Sequence, residues 1–154
     1  MSSDFRLDSF LPFRLDVAAT ELSERLSALY GEAFGLDIPQ WRILANIAAL
    51  GEATAQVVAR ITRSHKSTIS RAVQRLEARG LVERLVSERD KRAFRLTLTA
   101  EGRMLLQRLL PQALRFEAGL LAMLIDSERK ALERGSARWS GRSRRGATSR
   151  PRRA

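Results

Sequence analysis

A short charged segment between two apolar runs constrains the fold of this chain more than any other feature. Residues 94–98 alternate apolar and polar side chains with the two-residue period of a half-buried strand. Residues 81–86 form a second candidate strand, and the hydrophilic residues between them include Asp90-Lys91-Arg92. The pattern predicts a β-hairpin with strands over 81–86 and 93–98 and a basic tip over 87–92.

The apolar residues before the hairpin recur at spacings of three and four, which predicts a series of helices. A first helix spans about residues 10–30, and a second spans about residues 39–50. Two glycines and a proline in residues 31–39 end the first helix and begin the second. Thr54 is placed to cap a short third helix, and residues 62–65 form the turn before a fourth. The periodic apolar positions of the first helix are Leu15, Ala18, Leu22, Leu26 and Leu29. The stripe of the second helix that is expected to be buried consists of Ile43, Leu44, Ile47 and Leu50.

The fourth helix, over about residues 66–79, has an apolar side and a polar side without a carboxylate. The apolar side holds Ile69, Ala72, Val73 and Leu76, and the polar side holds Ser67, Arg71, Gln74 and Arg75. Ser64 and Ser67 are alternative caps for its start. A solvated basic face is one interpretation; a helix that enters the major groove of DNA, followed by a hairpin whose tip enters the minor groove, is the other.

A long leucine-rich helix follows the hairpin. Thr99 is placed to cap it, and Pro111 is expected to kink or break it near its middle. A last helical segment begins near Asp126, and its amphipathic pattern ends at Gly135. The expected fold is mainly α with a small β-hairpin wing.

Composition excludes several classes of function. The chain has no cysteine and one histidine, His65, which argues against thiolate or multi-histidine metal sites, disulfides and histidine-rich catalytic centres. No nucleophile–base pair or glycine-rich phosphate loop occurs, so no enzyme, cofactor or metal is expected. His65 is expected to be solvated or to cap a helix, with a phosphate contact as the alternative. Without a signal peptide or an apolar run of ~20 residues, we expect a cytoplasmic protein and no membrane partner.

The net charge of +11 is concentrated at the C-terminus. Seven of the 28 basic residues lie after Arg134, where no acid occurs, and the other 21 accompany all 17 acids. Residues 135–154 are therefore expected to be either a disordered tail that binds polyanions or the product of a reading-frame shift. A non-specific nucleic-acid or nucleoid-binding protein driven by this tail is the alternative function.

Several segments together resemble the MarR family of winged helix-turn-helix transcriptional regulators. They are residues 38–44, residues 66–73, residues 76–84, Asp90-Lys91-Arg92, and Leu98-Thr99-Ala100-Glu101-Gly102. The resemblance covers about residues 8–134. It implies a homodimer in which residues 1–36 and 100–134 form dimerisation helices, while residues 37–99 form the DNA-binding lobe.

The resemblance also implies sites. Members of the family are usually repressors that bind a pseudo-palindromic operator in double-stranded DNA, and many release it when a small aromatic acid or phenol binds. Arg92 is then expected to enter the minor groove, with Asp90 positioning it or a neighbouring arginine. The residues expected to face the major groove are Ser67, Thr68, Ser70, Arg71, Gln74 and Arg75. The expected ligand-binding residues are Phe13, Arg14, Trp41 and Arg42.

Overall fold

The computed structural model describes residues 5–86 and 94–140. These residues contain a short 3-10 helix, Leu7–Ser9, then six α-helices and one hairpin. In chain order the elements are α1 (Leu11–Phe34), α2 (Ile38–Leu50), α3 (Ala55–Thr62), α4 (Lys66–Ala78), β1 (Val82–Val86), β2 (Phe94–Leu98), α5 (Ala100–Leu121) and α6 (Asp126–Trp139). The predicted fold class, mainly helical with a small hairpin, is confirmed.

The chain divides into two compact units between Ala113 and Leu114, within α5. The first unit has one apolar core, to which helices α1 to α5 and both strands contribute. Its least exposed large side chains are Tyr30, Leu36, Ile43, Leu44, Ile47, Val58, Ile69, Leu76 and Leu109. The core thus covers Ile43, Leu44 and Ile47 of α2 and the predicted apolar side of α4. Leu50, also expected to be buried, is 51% exposed because it lies in the last turn of α2, beyond the core.

The hairpin is antiparallel, with Val82 opposite Leu98 and Val86 opposite Phe94. Ala53, between α2 and α3, adds a single bridging residue at the other edge of β2. Its N–H donates to the Leu96 carbonyl at 3.1 Å, and the Leu96 N–H donates back at 2.8 Å. These two bonds fix β2 to the segment that joins α2 to α3. The hairpin is therefore attached to the first part of the helical core.

The ends of the early helices are closed by local hydrogen bonds. Asp37 and Gln40 form a capping box at the start of α2: the Gln40 N–H donates to Asp37 Oδ1 at 2.8 Å, and the Asp37 N–H donates to Gln40 Oε1 at 2.9 Å. Thr54 caps α3, as predicted, by accepting from the Val57 N–H. Gly35 ends α1 in the left-handed region (φ 62°), where an absent Cβ removes the strain. Helix α1 thus ends at Phe34, four residues after its predicted end near Tyr30, and Gly31 lies within it.

Two predicted helix boundaries need correction, and one alternative at a third is excluded. Neither Ser64 nor Ser67 caps α4, because His65 occupies the cap position and makes no side-chain cap bond. Of the two outcomes expected at Pro111, a kink or a break, the break does not occur, because α5 continues to Leu121. Helix α6 runs through Gly135 to Trp139, because one glycine lowers helix stability without ending a helix.

Thr99 and Gly102 join the start of α5 to the turn that follows α4. Thr99 Oγ1 accepts from the Gly102 N–H at 3.0 Å, the predicted cap, and donates to the Gly80 carbonyl at 2.6 Å. A Cβ on Gly102 would lie 2.0 Å from the Leu81 carbonyl oxygen, so only glycine fits. This contact explains physically why the Leu98-Thr99-x-x-Gly102 pattern requires both a hydroxyl and a missing side chain.

Candidate nucleic-acid interface

Helix α4 buries one side in the core of the first unit and leaves the other side open. Ile69, Ala72, Val73 and Leu76 are each no more than 3% exposed. All six residues of α4 predicted to face DNA are exposed, namely Ser67, Thr68, Ser70, Arg71, Gln74 and Arg75. The helix thus presents a polar surface to its surroundings while its position is held by packing.

Three of these six residues lie directly opposite the buried side. With ~100° per residue, Ser67, Arg71 and Gln74 fall within one narrow stripe across the helix axis from Ile69. An arginine pairs with the O6 and N7 atoms of guanine, and a glutamine pairs with N6 and N7 of adenine. This stripe has the chemistry to distinguish base pairs in a major groove.

Arg75 lies at the edge of that stripe and has a partner within the protein. Its Nη1 lies 3.2 Å from Asp37 Oδ2, while the other oxygen of Asp37 caps α2. Both side chains remain substantially exposed, at 66% and 39%. The structure therefore directs the Arg75 guanidinium toward the start of α2, although Arg75 lies only one helical turn after Arg71.

Two further arginines near α4 have structural partners. The Arg79 guanidinium donates to the carbonyls of Phe34 and Gly35 at 2.8 and 2.7 Å, where the carbonyl groups at the end of α1 need donors. Arg84 on β1 forms two bonds to the Glu77 carboxylate, at 2.6 and 2.8 Å, and lies over the ring of Phe94. Arg79 thus links α4 to the end of α1, and Arg84 links β1 to α4.

A second group of cations lies in and around the turn between α3 and α4. Arg60, Arg63 and Lys66 are exposed, and none of them forms a salt bridge with a residue of the described ranges. The sequence interpretation above did not include them as site residues. Their spacing of three in the sequence is a signal, but it crosses the turn between two helices and so does not form the stripe of a single helix.

The wing is described only along its strands. Asp90 and Arg92, the predicted residues of the wing tip, lie outside the described residues. Ser70 borders a groove between α4 and the hairpin, whose other lining residues are Thr54, Ala55, Gln56, Val73, Arg84, Phe94 and Leu96. The groove joins the α4 face to the base of the wing.

The four predicted ligand-binding residues are not brought together within one chain. Trp41 is half-buried and packs against Tyr30 with ring centroids 5.0 Å apart. Phe13 and Arg14 are exposed on the opposite end of α1, about 25 Å from Tyr30 at 1.5 Å rise per residue. Arg42 is also exposed.

A cavity of about 340 Å³ lies elsewhere, between the end of α2, β2 and the start of α5. Ile47, Leu98, Leu106 and Leu110 make its walls apolar, and Arg103 and Gln107 supply polar groups. Arg103 donates to the Leu98 carbonyl at 2.6 Å, which holds its guanidinium at the cavity. The sequence interpretation missed this cavity because its lining comes from three separate elements.

The described residues show no group of three or more His, Cys, Asp or Glu side chains placed to hold a metal ion. Among the same residues, no helix has both the length and the apolar character needed to cross a membrane. Besides the cavity beside Arg103, the described residues present the exposed polar surface of α4 and the cationic turn before it.

Comparisons with known proteins connect this surface to a family. A family model described as the MarR family matches residues 34–93. YwoH, an uncharacterized HTH-type transcriptional regulator of Bacillus subtilis, is 32% identical over 100 residues, which make up 65% of this chain and 72% of that protein. IacR, an HTH-type transcriptional repressor of Pseudomonas putida, is 30% identical over 70% of this chain and 64% of its own length.

Solved structures agree. A probable transcriptional regulator from Pseudomonas aeruginosa is similar with a TM-score of 0.73 and 29% identity, over 87% of this chain and 99% of that one. BpsR of Bordetella bronchiseptica, whose DNA binding is regulated by 6-hydroxynicotinic acid, has the same fold with a TM-score of 0.81 and 21% identity, over 90% and 98% of the two chains. On its helix-turn-helix, its hairpin and these likenesses, the chain belongs to the MarR family of transcriptional regulators.

Proposed function

We propose that this regulator is a repressor that binds a pseudo-palindromic operator as a homodimer. The observation that carries the proposal is the exposed stripe of Ser67, Arg71 and Gln74, which has base-reading chemistry and lies opposite the buried side of α4. The repressor role is supported by the name of IacR. In this proposal residues 37–99 form the lobe that reads DNA, and Arg92, positioned by Asp90, extends the contact into the minor groove.

The homodimer is supported by apolar side chains that α1 and the segment before it leave uncovered. Phe5 is 63% exposed, Leu11 is 52% exposed, and Phe10 and Phe13 are also exposed. A surface of this kind favours contact with another chain. We propose that residues 1–36 and 100–134 supply the dimerisation helices, so that two copies of α4 face successive major grooves.

Recovery of binding sites from the genome tests the proposal directly. Fragmented genomic DNA of the source organism is captured with the purified full-length protein and sequenced. We expect a small set of enriched sites that share an inverted repeat, with half-sites about one helical turn apart. Capture without any enriched sequence, together with affinity that falls steeply with salt, would instead favour the non-specific alternative.

We further propose that a small aromatic acid releases the DNA. Support comes from the cavity of about 340 Å³, which has apolar walls with Arg103 and Gln107 and falls within the size range of small-molecule sites. Regulation of BpsR by 6-hydroxynicotinic acid is a precedent within the same fold. An arginine that already donates to one carbonyl keeps further donors for a carboxylate.

Thermal denaturation with 6-hydroxynicotinic acid and with benzoic acid tests the ligand proposal. We expect one of them to raise the Tm of the protein and to weaken its binding to the captured sites. Arg103→Met should remove both effects. Arg108→Met, an exposed position on the same helix that does not line the cavity, is the matched control and should retain them. DNA affinity that neither acid changes would contradict this choice of ligand class.

A further inference from the structure

We infer that Arg60, Arg63 and Lys66 form a phosphate-binding cluster that holds one DNA strand beside the recognition helix. This turn cluster, as we name these three residues, lies outside the base-reading stripe of α4. The inference rests on the proposed DNA-binding function and deepens it, since it assigns sequence-independent affinity to one part of the surface and sequence preference to another.

The first argument is the division of cations around α4. Arg75, Arg79 and Arg84 each have a partner within the protein, so their charges are already compensated or committed to the fold. The three members of the turn cluster are exposed and form no salt bridge within the described residues. Their charges are thus open to an external anion.

The backbone of Arg63 provides the second, independent argument. Arg63 ends α3 in the left-handed region, with φ 52° and ψ 35°. Among the residues that the structure describes, it is the single non-glycine residue with a positive φ. A side chain is strained in this conformation, whereas glycine adopts it freely. Because the turn itself needs only backbone bonds, such as the Ser64 N–H to the Ala59 carbonyl at 3.0 Å, the guanidinium adds nothing to closing the helix. Strain held at such a position points to a role of the side chain outside the fold.

The third argument is the shape of the surface. Arg60 and Lys66 line a groove of about 510 Å³ together with Gln56 and Ser64, and none of the residues that line it is acidic. Lys66 also begins α4, so the groove runs up to the start of the helix that carries Ser67 and Arg71. A phosphate bound in this groove would therefore lie close to the start of the recognition helix.

The occupant that fits this surface is the sugar–phosphate backbone of double-stranded DNA. Guanidinium and ammonium groups neutralise phosphates whatever the base sequence, and the side-chain amide of Gln56 supplies a neutral donor for the same oxygens. The turn cluster therefore fixes the position of the strand, while Arg71 and Gln74 read its bases.

Arg63→Gly tests the inference because it removes the charge and the strain together. Binding of the full-length protein to a mixed-sequence DNA duplex is measured by fluorescence anisotropy over a range of KCl concentrations. We expect weaker binding, and a slope of log affinity against log salt that is shallower by about 0.9 per lost phosphate contact. The Tm of the free protein should stay the same or rise, because glycine relieves the left-handed strain.

Two control variants distinguish a phosphate contact at the turn cluster from a general effect of the protein's net charge. Arg63→Lys keeps the charge and should retain the wild-type slope. Arg108→Ala removes one exposed charge on α5 and should leave the slope nearly unchanged. In a selection from randomised DNA, Arg63→Gly should prefer the same sequence as the wild type.

Each contrary result has a distinct meaning. If Arg63→Gly binds DNA with the wild-type slope, the turn cluster does not contact phosphate, and the proposed function stands without it. If Arg63→Gly shifts the preferred sequence, Arg63 reads bases and the assignment is wrong. If the wild-type protein selects no sequence, the proposed function itself fails.

Discussion

Asp37 and Arg75 link the start of α2 to the side of the recognition helix by one ion pair of 3.2 Å. Asp37 uses its other oxygen to accept from the Gln40 N–H, so a single carboxylate both caps a helix and holds an arginine. In a protein that approaches a polyanion, this carboxylate opposes DNA binding and keeps Arg75 from it.

Asp37→Asn should therefore strengthen DNA binding. Asparagine caps helices as well as aspartate does, so α2 should keep its start while Arg75 becomes available to phosphate. We expect affinity for mixed-sequence DNA to rise roughly two- to fivefold, which corresponds to the ~0.4–1 kcal/mol of an exposed ion pair. Asp126→Asn, which breaks the corresponding pair with Arg129 in α6, is the control and should change affinity less. Weaker binding by Asp37→Asn would show that the pair presents Arg75 to DNA in a useful position.

Arg71→Ala and Gln74→Ala test the base-reading stripe. Each should weaken operator binding, and each should relax preference at one base pair per half-site, at about 1–3 kcal/mol per lost bidentate contact. Comparison of the sequences selected from randomised DNA by wild type and variants measures the effect. Equal loss of affinity for every sequence, without any change in preference, would place these side chains on phosphates instead.

The helices could be predicted from sequence because their causes are local. Ile69 and Leu76 follow the helical period, and Thr54 and Thr99 precede apolar runs at cap positions, so propensity and burial agree there. The partners of Arg75 and Arg79 could not be predicted, since they lie 38 or more residues away and only packing brings them together. Gly31 was expected to end α1, but the tertiary contacts of Tyr30 and Phe34 extend the helix past it.

The candidate site also has a part that could be predicted from sequence and a part that could not. The exposed face of α4 follows from its periodicity, whereas the role of Arg63 depends on a backbone angle that no sequence pattern displays. The separation of Phe13 from Trp41 likewise follows from the length of α1 and the place where it meets α2.

Gly102→Ala should destabilise the first unit. The new methyl group would collide with the Leu81 carbonyl oxygen, which is backbone and cannot rotate away, so we expect a loss of about 2 kcal/mol or more. Gly119→Ala is the matched change on the same helix, where a Cβ meets nothing within 4 Å, and should stabilise by up to about 1 kcal/mol. Urea denaturation of both variants measures the difference. Similar stability of the two would contradict the close approach of α5 to the turn after α4.

Tyr30 should make the fold sensitive to alkaline pH. Burial disfavours its phenolate and raises the pKa of Tyr30 to about 12 from the ordinary 10.0. The contribution of Tyr30 is then complete below pH 10 and is lost as the pH rises toward 12, because the unfolded chain releases the proton first. Urea denaturation at a series of pH values from 9 to 12 should show this decline. Tyr30→Phe should show a weaker decline; an identical one would assign the effect to other groups.

The contact of Gly102 with Leu81, together with the Thr99 bond to Gly80 in the same turn, couples the position of α5 to that of α4. Since α5 begins on the turn that ends α4, these contacts would transmit a tilt of its first residues to the end of the recognition helix. Helix α4 has 13 residues and is about 20 Å long, so a rotation of about 5° would move its far end by roughly 2 Å. In the dimer that we propose, a ligand that shifts the start of α5 by a small angle would thereby change the distance between the two operator half-sites that the protein can match.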